Sequence, residues 1–278
     1  MRAFSAHTWS FHDLTLLEAF GTIARLGFRW VDIGSGPNLN ALKAAANPER
    51  AADEINADLA LYDLAVSDLY LLLPRICSED EERRAKEREL FSALLPLAQA
   101  IRAPGITVSP GLAAPAAVAE AAETAALHRA AESLRGMLAE AQAAGLRLSI
   151  EPHLDSIAPT PEQALALLAA VPGLELTLDW ADLTYQNFAH EQIAALLPRA
   201  RHLHIRQTAR RQLQSTFERG RIDLRRFIHD LIAANYTGII CIETLNMPGR
   251  HGAVKINPLL ETARLRDALR DLRDAAQR

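Results

Sequence analysis

The chain has 278 residues, of which 49% are hydrophobic and 23% charged, and its formal net charge is −4. That is ample apolar material for a large core, and the mild acidity argues against a nucleic-acid partner, which usually leaves a basic footprint. No apolar run reaches eighteen residues, so no membrane span is expected.

The opening stretch, MRAFSAHTWSFHDLT, lacks the apolar segment of a secretory signal. Cys77 and Cys241 are too few for a disulfide framework, so a reducing, cytoplasmic setting is expected. Strand-like segments follow one another at 2–8, 29–34, 60–66 and 105–110, and then at 146–152, 174–180, 200–206 and 238–244. Helical spacing fills the intervals at 79–102, 114–144, 161–170, 190–198, 223–235 and 258–276. Gly27, Gly145, Gly173 and Gly238 stand just before strands, where a helix must stop. Asp223 reads as the N-cap of a helix whose apolar face is Leu224, Phe227, Ile228 and Leu231. The segment 32–38, DIGSGPN, has a GxG but no third glycine, and reads as a loop, not a dinucleotide fingerprint. Strand and helix alternating eight times predict an α/β fold, a (β/α)₈ barrel forming one domain over 1–278.

The chemistry lies at the ends of the last four strands. GLRLSIEPH puts Leu146, Leu148 and Ile150 on one face and Glu151 on the other, with His153 two residues on. In LELTLD, Asp179 lies opposite Leu174, Leu176 and Leu178. His202 and His204 share a face in ARHLHIR, as do Cys241 and Glu243 in GIICIET. In a barrel this parity aims Glu151, Asp179, His204 and Glu243 at the mouth. Three carboxylates in one small space resist ionising together unless a cation sits among them. Three acids and an imidazole suit Mn²⁺ best, with Mg²⁺, Co²⁺ or Zn²⁺ as the other options. For any one of these residues alone, helix capping or core hydrogen bonding is the commoner use. Their joint occurrence on four successive strands is what points to a divalent metal site.

The blocks IEPH, LTLDWADL, RHLHIR and GRIDLRRFIHDLIAANYTGIICIE resemble those of the sugar phosphate isomerase/epimerase family, the xylose isomerase-like TIM barrels. The likeness is clearest over 140–245. It implies a TIM barrel whose metal is held by Glu151, Asp179, His204 and Glu243, with Glu151 and Glu243 also the catalytic acid–base pair. It further implies Arg210 as a substrate-binding residue; His153, beside the strand end, is a candidate to hydrogen-bond either substrate or a metal-ligating acid. The plain alternative for Arg210 is a solvated arginine in a basic loop with Arg206 and Arg211. One departure stands out. Where the family commonly has D-x-x-H, this chain has Asp179-Trp-Ala-Asp182. Asp182 is the substrate-facing candidate there, but it donates a proton at neutral pH only if its pKa is strongly raised.

The expected reaction is proton transfer next to the carbonyl of a small-molecule sugar or polyol substrate, through a metal-stabilised enediolate. The same residues serve an alternative, a metal-dependent lyase or dehydratase on a keto-sugar, keto-glycoside or inosose. A non-catalytic sugar-binding homologue is a third reading. An endonuclease of the same barrel superfamily is rejected, because its trinuclear metal site draws on histidines of the second and third strands and none occurs between His12 and His128. The sequence leaves the oligomeric state open, a homo-oligomer included.

Overall fold

The computed structural model describes residues 3–113 and 120–276. Eight parallel strands close into a barrel in sequence order: β1 (Phe4–His7), β2 (Trp30–Gly34), β3 (Ala65–Leu71), β4 (Gly105–Val108), β5 (Arg147–Ile150), β6 (Glu175–Asp179), β7 (Ala200–Ile205) and β8 (Ile240–Ile242). The ring closes through β1 against β8, with Ser5 in register with Cys241 and Ala6 with Ile242. Between the strands lie α1 (Leu16–Arg25), α2 (Ala41–Ala46), α3 (Pro48–Leu61), α4 (Glu81–Ala100), α5 (Glu120–Ala143), α6 (Pro161–Ala170), α7 (Trp180–Tyr185), α8 (His190–Ala194) and α9 (Leu224–Ala233). The last element is α10 (Pro258–Ala275).

Local chemistry explains most of these boundaries. Thr15 and Thr160 start α1 and α6 with reciprocal capping boxes. Asp80 caps α4, and Asp223 caps α9 by accepting from the Arg226 amide. Leu224, Phe227, Ile228 and Leu231 are all buried, as the spacing of α9 predicts. Each such side chain contributes roughly 1.5–3 kcal/mol on leaving water. Gly145 closes α5 with a φ of +72°, a conformation that penalises any residue carrying a Cβ. At Gly238 the constraint is space, since a Cβ would lie 2.3 Å from the Tyr236 hydroxyl.

Two sequence expectations shift. The sequence puts the third strand at 60–66, yet Ala60 and Leu61 complete α3 and the strand runs Ala65–Leu71. The boundary is set by Asp63, whose φ of 52° stops the helix, and by the Leu64 amide, which bonds back to the Leu59 carbonyl. Of the helix expected over 114–144, residues 114–119 lie outside the described residues, and the helix is seen over Glu120–Ala143.

The outward faces of the last four strands carry Leu148, Ile150, Leu176, Leu178, Leu203, Ile205, Ile240 and Ile242, all fully buried against the helices. The barrel interior is polar. Deep inside it, Arg201 is 2.6 Å from Asp68 and also bonds Ser149 and Thr107, while Thr107 meets Thr177 at 2.7 Å. These bonds satisfy a buried ion pair that would otherwise be costly. Side chains one step further along β2, β5, β7 and β8 meet at the carboxyl ends, where barrel enzymes place their sites.

Candidate active site

Period-two alternation carries Glu151 and Glu243 just past the ends of β5 and β8, while Asp179 ends β6 and His204 lies on β7. His204 sits at the centre. Its Nδ1 lies 2.6 Å from Glu151 Oε1 and 3.6 Å from Glu243 Oε2. One donor atom from each of Glu151, His204 and Glu243 falls within 4.8 Å of the other two. Donors held about 2–2.4 Å from one ion can be no further apart than about 4–5 Å, so this trio fits a divalent cation. Two carboxylate oxygens and an imidazole nitrogen also have the chemistry for it.

Asp179 shares the cavity but spends its carboxylate differently. Oδ1 accepts the amides of Ala181 and Asp182, capping α7, and Oδ2 is paired with the guanidinium of Arg206. Arg206 also lies 3.5 Å from Glu243 Oε2. Grouped with Arg210 and Arg211, Arg206 reads as a solvated loop arginine; the structure corrects this. It is 1% exposed, and the carboxylates of Asp179 and Glu243 supply the partners that such burial requires.

The charges perturb one another strongly. Burial opposes the charge on Glu151, but the adjacent His204 outweighs it and holds that carboxyl down at about 2. Burial pushes Glu243 up to about 8, with Glu151 adding to the shift against the pull of His204 and Arg206. His204 itself is held well above the ordinary imidazole value: burial works against its charge, and Glu151, Glu243 and Asp32 prevail. Asp182 is buried beside Asp179, and both effects raise it to about 7.

Glu151, Asp179, Asp182, Arg206 and Glu243 line a cavity of about 410 Å³, walled by Trp9, Tyr70, Leu72, Leu245 and Met247, while His204 is fully buried against the glutamates. His153 is there too, its Nε2 2.9 Å from the Ser109 hydroxyl. Asp182 lines the same space, accepting weakly from the Leu154 amide and from Gln186. Across the mouth, Asp155 ties the loop after β5 to the loop after β8 through Arg250 at 2.7 Å and His251 at 2.8 Å. Arg210 is not in this cavity. It is exposed and borders an open cleft of about 670 Å³ alongside, with Arg211, Tyr185 and Asn187.

A profile of the xylose isomerase-like TIM barrel matches residues 20–273. The chain belongs to the xylose isomerase-like TIM barrel family. No curated protein matches it in sequence. Among solved structures it is similar to a D-allulose 3-epimerase from Methylomonas sp., at 17% identity and a TM-score of 0.78, covering 97% of each chain. It is likewise similar to 3-keto-D-glucoside 4-epimerase from E. coli, at 18% identity and a TM-score of 0.76, covering 98% of this chain and 100% of the other. A probable 3-DHS dehydratase from Bacillus anthracis aligns at 15% identity with a TM-score of 0.74, over 97% of this chain and 99% of that one. At these identities the likeness is one of fold.

Further residues surround the site in this xylose isomerase-like barrel. Tyr70 is buried and lines the same cavity as Glu151, so burial and that carboxylate both raise its phenol well above the usual value. Asp32 accepts from His204 on the side away from the glutamates. His7 stacks edge-on to His204 at 5.5 Å, and its Nε2 has no partner among the described residues. Period two did carry a signal for Asp32 and His7: each lies on a strand, with apolar neighbours on either side in sequence or on the opposite face.

Proposed function

We propose that this protein is a divalent-metal-dependent isomerase or epimerase acting on a small sugar by proton transfer next to a carbonyl. The observation that carries the reading is that donor atoms of Glu151, His204 and Glu243 lie within 4.8 Å of one another, with both glutamates lining one cavity. Those three residues would hold the metal, with Asp179 as a fourth ligand if Arg206 releases its oxygen. The donor set suits Mn²⁺ first, then Mg²⁺, Co²⁺ or Zn²⁺. A bound cation supplies a positive centre for the carbonyl and neighbouring hydroxyl oxygens, stabilising negative charge as it develops.

The rest is the work of the chain's own groups. One of Glu151 and Glu243 takes the proton from carbon, and the other returns one. Return to the same carbon from the opposite side gives an epimer, and return to the adjacent carbon gives an isomer. His153 and Asp182, which line the cavity, would hydrogen-bond sugar hydroxyls, and Arg210 would meet a portion of substrate reaching into the neighbouring cleft. Trp9, Leu72 and Met247 limit water around the reacting atoms.

Turnover in deuterium oxide with MnCl₂ and a panel of ketoses and aldoses tests this. The expected result is solvent deuterium in a recovered sugar, lost in Glu151→Gln and Glu243→Gln. No new isomer and no deuterium in any sugar would contradict it. Asp182, in place of the family's histidine, favours a second reading in which a keto-sugar or inosose loses water from its β carbon. A product lighter by one water identifies that reaction.

A further inference from the structure

The carboxylate of Asp32 has four hydrogen-bond partners inside the barrel. Its Oδ1 accepts from the Ser5 hydroxyl at 2.9 Å and from Ser67. Its Oδ2 lies 2.5 Å from His202 Nε2 and 3.2 Å from His204 Nε2. All five residues are buried, none more than 2% exposed. Cys241 is close enough to Asp32, His202 and His204 to suggest a second ion site, yet both oxygens of Asp32 are already occupied by donors, which leaves no lone pair directed at an ion.

A carboxylate in this position can only accept, so each imidazole must present an N–H at Nε2. For His204 the consequence is directional. With Nε2 committed to Asp32, the remaining ring nitrogen, Nδ1, is the one that faces Glu151 and Glu243. Without a cation Nδ1 likewise donates, to Glu151; a cation there displaces that proton, while the carboxylate behind Nε2 keeps the other proton and the ring in place.

We propose that Asp32 is a positioning residue for the metal site, fixing the ring and tautomer of His204 so that Nδ1 points at the cation shared with Glu151 and Glu243. This rests on the metal reading given above. Ser5, Ser67 and His202 hold the carboxylate in turn, because four donors from three other strands leave it no freedom to rotate.

Titration calorimetry with MnCl₂ separates the two ideas. Wild-type protein is expected to bind Mn²⁺, and Asp32→Ala to bind it about 10–100-fold more weakly. Asp32→Asn is expected to recover most of the loss: its carbonyl oxygen can accept from both imidazoles, and its amide can donate to the serine hydroxyls. Wild-type protein that binds no Mn²⁺ would overturn the metal reading itself. Equal affinity in wild type and Asp32→Ala would overturn only the role of Asp32. Should Asp32→Ala fail to fold, ¹⁵N spectra of histidine-labelled wild type loaded with Mg²⁺ decide the matter. The His204 proton is expected on Nε2 there, and a proton on Nδ1 would refute the proposal.

Discussion

Replacing Arg206 with methionine removes a buried cation from between two carboxylates while keeping most of the side-chain length. With Glu243 held up at about 8, Asp179 is then the buried carboxylate left without the guanidinium that offset its charge. Breaking a buried pair by deleting one partner costs about 3–5 kcal/mol. A chain of this length has an unfolding entropy near ~0.6 kcal/mol/K, so metal-free protein should melt about 5–9 °C lower. A divalent cation supplies the missing charge, and saturating ligand at about a thousand times its dissociation constant stabilises by roughly 4 kcal/mol. Melting curves of wild type and Arg206→Met, each in EDTA and in MnCl₂, give four temperatures. The expected pattern is a large deficit in EDTA that Mn²⁺ closes more fully in the variant than it raises the wild type. A variant that melts with the wild type in EDTA, or responds to Mn²⁺ no more strongly, would show that Arg206 does not neutralise the acids at the metal position.

Phe227 lies edge-on to Trp180 at 4.9 Å with no exposed surface, so Phe227→Ala should cost about 3–5 kcal/mol in urea unfolding, and a loss below about 1 kcal/mol would contradict the packing. Glu87 on α4 has an Oε2 with no partner among the described residues, and burial raises its carboxyl to about 7 despite the nearby Arg75. Its folded pKa thus exceeds the unfolded value, and stability is lost as pH rises from the unfolded pKa through about 7. Glu87→Gln should therefore match the wild type near pH 4 and exceed it by ~1–2 kcal/mol at pH 8, after allowing for solvent screening. A difference that does not change with pH would refute the burial cost.

Much of the site is legible before any coordinates, because strands impose period two. Once Leu148 and Ile150, or Leu203 and Ile205, are assigned to the helix-facing side, Glu151 and His204 have only the interior left. Arg206 breaks this legibility. Beside Arg210 and Arg211 it looks solvated, and only the fold brings Asp179 and Glu243 onto its guanidinium. Asp32 is hidden differently: period two places it on a strand, but its partners Ser67, His202 and His204 are up to 172 positions away. The third strand slips because the apolar run from Leu59 to Leu73 serves a helix end and a strand in succession. Nothing in its composition marks Asp63 as the break.

The central claim is that Glu151, His204 and Glu243 share one divalent cation. Anomalous diffraction at the manganese edge, from crystals grown in MnCl₂, tests it most directly. The account predicts a single peak about 2–2.4 Å from His204 Nδ1 and from one oxygen of each glutamate. No peak in that space, with Arg206 still between Asp179 and Glu243, would contradict it.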